Sequence, residues 1–294
     1  MMKFNFKLYP NNEHVNPYEI PFGHIFQAVI FGWLHQRFPK LIHELHSYQN
    51  IRPYAINCHI HQKKPLVEFS VVSYNKTLNG ALKAIITSIG NKVLNVGGKK
   101  YQVKETKVKK IHITKLLEIS KPVRHFHISF ITPVHFSTSK GKYSVRFPLP
   151  SVLFGNLTTI WNDFLKKSAQ IDHQDFMNWI KAHCYPSGYR MRSAQYFIKT
   201  SQKVIGGQGF VSYRIRKPNR NFYEQINTSN NLLDKKEGQI KTHHWNNCFL
   251  VEVLCRLGEY LNVGGNRTAG MGVIRYYPKD YLQDKHTYRK KTLS

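Results

Sequence analysis

Two sets of residues in this chain have types and spacings that could do chemistry: arginines in strand-like runs and a cluster of glycines. Arg190 and Arg192 fall two apart in Tyr189-Arg-Met-Arg192, as do Arg214 and Arg216 in Tyr213-Arg-Ile-Arg216. Residues two apart in a strand share a face, so each pair would point both guanidiniums the same way. From residue 119 to 223 the only acidic residues are Asp163, Asp172 and Asp175, and between 176 and 223 there is none against nine lysines and arginines. The plain alternative is a solvated basic face, but such a face normally mixes both signs. A ribbon of one sign interleaved with Tyr189, Tyr196, Phe197, Phe210 and Tyr213 better suits a groove that tracks phosphates and stacks bases.

The glycines lie in Val263-Gly-Gly-Asn-Arg-Thr-Ala-Gly-Met-Gly272. Gly264, Gly265, Gly270 and Gly272 permit positive φ and close backbone approach, and Asn266 and Arg267 at the crest supply donors. The order is helix, glycines, strand. That is neither a phosphate-binding loop that precedes its helix nor a dinucleotide fingerprint that opens one. Taken alone, the segment reads equally well as a tight helix-to-strand turn. Histidine pairs such as His59/His61 and His125/His127 share a strand face but lack the carboxylate or thiolate company of most metal sites. Cys58, Cys184, Cys248 and Cys255 form no CxxC pair, so neither a zinc ribbon nor a disulfide framework is expected. The reading calls for no metal and no cofactor.

The elements that must carry these residues come from 294 residues, 41% hydrophobic, enough for one large domain or two ordinary ones. Forty-four Lys plus Arg against sixteen Asp plus Glu leave a net charge of +28. That excess makes an acidic small-molecule pocket a poor explanation and points to a polyanionic partner, nucleic acid or an anionic membrane surface. No apolar run reaches the roughly 18 residues of a membrane span, and the start MMKFNFKLYP lacks a signal-peptide core. A soluble, cytoplasmic chain is the expectation.

Residues 3–9 alternate as a strand, 20–34 read as a helix, and 39–48 form a short segment bearing His43 and His46. Strand-like runs follow at 52–60 and 66–73. Leu78, Ala81, Leu82, Ile85, Ile86 and Ile89 then trace an amphipathic helix, and one or two strands at 93–111 close the unit. Residues 99–121 carry eight lysines and read as a connector. A second unit repeats the order: a strand at 125–130, a helix through Leu153, Leu157, Ile160 and Phe164, strands at 189–200 and 209–216, a polar insertion at 217–243, a helix burying Leu250 to Leu261, the glycines, and a strand at 273–277. This split βαββαβ order predicts an α+β protein of two tandem ferredoxin-like (RRM-like) domains with a C-terminal glycine-rich loop. The boundaries read as 1–118, 119–280 and a basic tail, 281–294.

Three motifs in order resemble the CRISPR-associated endoribonucleases that process precursor CRISPR RNA, within the repeat-associated (RAMP) superfamily. They are Phe130-Ile-Thr-Pro-Val-His-Phe136 followed by Phe147-Pro-Leu-Pro150 and Trp161-Asn162; Tyr189-Arg-Met-Arg192 leading to Gly206–Tyr213; and Gly264–Gly272. Together they cover about residues 123–277. The resemblance implies binding of CRISPR repeat RNA and metal-independent cleavage by the ribose 2′-OH, leaving a 2′,3′-cyclic phosphate and a 5′-OH. Such a cut needs an acid, a base and positive charge on the phosphorane.

Relatives commonly place a histidine after the first helix, which maps onto His46, with His43 its rival. Arg52 matches the cation at the start of the next strand. Relatives often carry a tyrosine on the first helix, where this chain has Phe31 and Trp33; Tyr48 or Tyr54 could substitute. Arg190, Arg192, Arg214, Arg216, Gly264, Gly265, Asn266 and Arg267 would hold the RNA. A non-cutting crRNA-binding subunit of a CRISPR effector complex is the second reading, supported by the missing helix tyrosine. An unrelated RNA-binding protein would explain the charge but not the ordered motifs.

Overall fold

The computed structural model describes residues 1–10, 22–47, 51–60, 67–89, 93–96, 99–137, 143–165, 167–198, 202–216 and 233–282. Tyr48, most of the polar insertion and most of the basic tail lie outside the described residues. The first unit runs β1 (Met2–Pro10), α1 (Phe22–Arg37), α2 (Pro39–Ser47), β2 (Tyr54–Ile60), β3 (Val67–Ser73), α3 (Lys76–Ile89), β4 (Val93–Val96) and β5 (Lys99–Lys110). Its antiparallel sheet has the order β2-β3-β1-β5-β4. Without the short edge strand β4, this is the ferredoxin-like arrangement.

Alternation decides which way each strand faces. Phe4, Phe6 and Leu8 of β1 are wholly buried, while Lys3, Asn5 and Lys7 are only partly so. Phe6 and Phe26 both stack on Phe69, with ring centroids 4.5 and 4.1 Å apart. Each such side chain contributes roughly 1.5–3 kcal/mol by leaving water. The lysine-rich run at 99–110 falls within both the strands expected at 93–111 and the connector expected at 99–121, and the strand reading holds. It is a full strand beside β1, because Tyr101 and Val103 face the core while the lysines that follow face solvent.

α4 (Ile113–Ile119) leads to the second unit: β6 (Val123–Val134), β7 (Phe136–Ser137), β8 (Ser144–Val145), α5 (Pro150–Phe164), α6 (His173–His183), β9 (Cys184–Phe197), β10 (Lys203–Ile215), α7 (Leu233–Leu261) and β11 (Ile274–Tyr281). The sheet order β11-β6-β10-β9 is again ferredoxin-like. Phe126, Ile128 and Phe130 of β6 meet Leu153, Leu157 and Ile160 of α5 and Leu254, Leu257 and Leu261 of α7 in one core. Val72 and Ile111 of the first unit are buried in that same core, so the two units share apolar surface. All four cysteines are free thiols. Among the described residues no helix is long and apolar enough to cross a membrane.

Candidate active site and nucleic-acid interface

α2 buries Leu41, Ile42 and Leu45 and leaves His43 and His46 exposed. The rings of His46 and of Phe31 in α1 make a T-shaped contact, with centroids 5.1 Å apart at 77°. Phe31 lies 6.1 Å from the ring of Tyr54. The three rings thus run from solvent to interior. Tyr54 is 2% exposed, and its hydroxyl accepts a bond from Gln27 Nε2 at 3.0 Å. Burial pushes the Tyr54 phenol above its ordinary pKa, so it stays neutral.

Arg52, just before β2, donates from Nη1 to Thr268 Oγ1 at 3.2 Å. The same hydroxyl accepts from Gln27 at 3.4 Å. Side chains of the first unit and of the glycine segment therefore meet at one point. They border a cleft of about 830 Å³ whose lining includes Arg52, Asn156, His173, Gly264 and Thr268.

The glycine segment is held from below by the Thr132-Pro-Val-His135 stretch. Thr132 Oγ1 donates to Gly270 O and accepts from Val273 N, each at 2.9 Å. Gly272 N donates to Pro133 O at 3.0 Å, and Gly265 N to His135 O at 2.8 Å. Asn266 Nδ2 donates to His135 Nε2 at 3.0 Å, and Gly264 N donates to Asn156 Oδ1 at 2.8 Å. Gly264 and Gly265, expected among the RNA-holding residues, thus have their amides paired within the fold.

Arg267 corrects the sequence reading outright. It is not at the crest but 6% exposed, its guanidinium donating to Leu261 O at 2.8 Å and Arg52 O at 3.0 Å. Two of its five N–H donors are thus committed to backbone carbonyls, though the residue still lines the cleft. Tyr213 likewise leaves the stacking ribbon: it is fully buried, and its hydroxyl donates to Pro148 O. Tyr196 donates its hydroxyl to Ala269 O, tying β9 to the glycine segment.

The arginines do share a surface. Arg190 pairs with Phe210 across β9 and β10, Phe210 with Ser129 of β6, and Ser129 with Arg275 of β11. Directly opposed residues project to the same side, so Arg190, Phe210, Ser129 and Arg275 form one row on the face away from the core. Arg192 opposes Gln208 in the row beside it, and Arg214 opposes His125 further along. Arg190, Arg192, Arg214, Arg216, Phe210 and Tyr277 are all exposed. Arg216 lies over the Tyr185 ring at 4.8 Å. Partial burial, with the Arg214 cation, holds His125 below the usual histidine range. The positive charge of this face thus comes chiefly from arginine.

A family model for the CRISPR-associated endoribonuclease Cas6 matches residues 128–274, half of the chain. The chain belongs to the Cas6 family. No curated protein matches it in sequence. Among solved structures it resembles a Cas6 product complex with TM-score 0.69 and 14% identity, over 94% of this chain and 99% of that one. It also resembles Thermus thermophilus Cas6, TM-score 0.64 and 14% identity over 94% and 97%. A Cas6-related protein from Pyrococcus furiosus follows at TM-score 0.54 and 13% identity over 95% and 99%. At these identities the likeness establishes the tandem ferredoxin-like fold that the Cas6 chain displays.

The matched span of this Cas6 begins at Ile128, so His46, Arg52 and Tyr54 lie outside it and rest on geometry. Sequence reasoning missed Gln27, Thr268, Asn156 and His135. His135 had a legible signal, because its motif and the glycine segment were both recognised, though as separate features rather than as one packed unit. Thr268 lay within the recognised glycine segment and Gln27 carried no signal: they meet only because residues 241 positions apart fold together.

Proposed function

We infer that this Cas6 is a metal-independent endoribonuclease that binds CRISPR repeat RNA and cuts precursor crRNA within its repeats. The ribose 2′-OH attacks the adjacent phosphorus, the 5′-oxygen of the next nucleotide leaves, and the products end in a 2′,3′-cyclic phosphate and a 5′-OH. His46 moves a proton as general acid or base, since an imidazole can hold or release one near neutral pH. Arg52 stabilises the charge that builds on the phosphorane. Tyr54, in place of a helix tyrosine, helps to set this corner as a neutral phenol; Tyr48 is the other tyrosine near His46 in sequence. The observation that carries the reading is the junction where Arg52 meets Thr268 beside the cleft, linked to the exposed His46 through Gln27, Tyr54 and Phe31.

Repeat RNA incubated with the protein in excess EDTA should be cut at full rate, with cyclic phosphate ends. A requirement for magnesium, or a free 3′-hydroxyl on the product, defeats the mechanism. Binding without any cutting would instead favour a crRNA-holding subunit of an effector complex.

Arg190, Arg192, Arg214 and Arg216 form the surface that tracks the RNA backbone, with Phe210 as the exposed ring among them. Reversing charge by Arg190→Glu and Arg192→Glu should flatten the log–log salt dependence of RNA binding by roughly 0.7 per lost contact. An unchanged slope would remove these residues from the path.

A further inference from the structure

Arg52 is fixed twice by one short segment of the other unit. Its carbonyl accepts from the buried Arg267 guanidinium at 3.0 Å, and its guanidinium donates to Thr268 Oγ1 at 3.2 Å. Arg267 and Thr268 are each 6% exposed and open a single 3-10 turn, Arg267–Ala269. Asn266 and Gly270 flank that turn, both with left-handed backbones, φ 54° and 87°. The turn is itself tied back to β2: Asn262 Nδ2 donates to Ile56 O at 3.0 Å and to Arg267 O at 3.3 Å. Gln27, which holds Tyr54, reaches the same Thr268 hydroxyl. Four of these bonds join residues more than 200 positions apart, and two of the four are made by Arg52, the cation assigned to the phosphorane. A free arginine side chain samples many rotamers. One already bonded at a single nitrogen keeps its other donors aimed, which is what preorganised electrostatic stabilisation requires.

We propose that Thr268 is a positioning residue for cleavage: its hydroxyl aims the Arg52 guanidinium at the scissile phosphate, and Arg267 fixes the Arg52 backbone beneath it. The glycine segment of the second unit thereby completes a site whose proton-transfer histidine belongs to the first. The proposal rests on the reading of Arg52 given above.

The test is single-turnover cleavage of repeat RNA by the full chain carrying Thr268→Val, which keeps the side-chain shape and removes the oxygen. The rate should fall by roughly ten- to a hundredfold, the scale of a misaimed catalytic group. Affinity for repeat RNA with a 2′-deoxy sugar at the cut should stay within about twofold, since bound and free forms lose the same internal bond. Thr268→Ser, which retains the hydroxyl, should restore most of the rate. In an Arg52→Ala background Thr268→Val should cost little more, because two residues acting through one group are not additive.

A wild-type rate for Thr268→Val, an equal loss in the Arg52→Ala background, or a failure of Thr268→Ser to recover would each overturn the proposal while leaving the role of Arg52 intact. If Arg52→Ala alone cleaves normally, Arg52 has no part in the chemistry and the proposal falls with that reading. Should Thr268→Val prove too unstable to assay, Gln27→Leu probes the same hydroxyl from its other partner. It should lower the rate less than Arg52→Ala does, and no change at all would count against the proposal.

Discussion

His46→Ala should lower the rate of repeat-RNA cleavage by about a hundred- to ten-thousandfold, the usual worth of a positioned proton-transfer group, and leave RNA affinity within about twofold. The two halves of that expectation have separate physical grounds. His46 is exposed on a helix whose buried residues are Leu41, Ile42 and Leu45, so removing its ring opens no core cavity. Its ring makes a T-shaped contact with Phe31, which in turn neighbours Tyr54. The basic surface proposed above to hold the RNA lies on another sheet, along β9 and β10, and its arginines are untouched by the change. His43→Ala, one turn earlier and also exposed, is the matched control and should cleave normally. If His46→Ala cuts at the wild-type rate while His43→Ala does not, the two assignments exchange. If both cut normally, the imidazole mechanism is wrong for this chain.

Much of the fold was legible because it depends on local pattern. Phe4, Phe6 and Leu8 alternate, and Leu78, Ala81, Leu82, Ile85 and Ile89 repeat at helical spacing; the structure buries both sets. The run at 99–110 drew two readings, a strand and a lysine-rich connector, and two inward residues, Tyr101 and Val103, suffice to seat it as a strand beside β1. The arginine surface was readable for the same reason as the strands: period two places Arg190 with Arg192 and Arg214 with Arg216 in any register. What lay beyond reach was partnership across the chain. Arg267 has the composition of an exposed donor, and only Leu261 O and Arg52 O, one of them 215 positions away, make it a buried strut. The glycine segment was therefore recognised while the placement of its arginine was not. Its amides and its arginine bond within the protein, Gly264 N to the Asn156 side chain and Gly265 N to His135 O, while its threonine meets Arg52.

Gly272→Ala should destabilise the protein by about 4 kcal/mol or more, the range reserved for substitutions that force backbone apart. Gly272 has φ 66°, and a Cβ built there would stand 1.7 Å from Val263 O and 2.8 Å from Val263 C. Neither is the tip of a flexible side chain, so nothing nearby can rotate away. The left-handed backbone adds about 1–2 kcal/mol for any residue with a Cβ. The larger part comes from separating two strands of the loop, which breaks Val263 N to Gly272 O at 2.9 Å and Gly272 N to Pro133 O at 3.0 Å. For a chain of this size the melting midpoint should drop by about 10 °C or more. Gly80 is the control: it is exposed within α3 and a Cβ there meets nothing within 4 Å, so Gly80→Ala should be neutral or stabilise by up to about 1 kcal/mol. Because Thr268 and Arg267 hang from the same loop, the surviving folded fraction of Gly272→Ala should cleave poorly even below its melting midpoint. A Gly272→Ala protein that melts and cuts like wild type would mean that the loop is free to reshape, and with it the hold on Arg52.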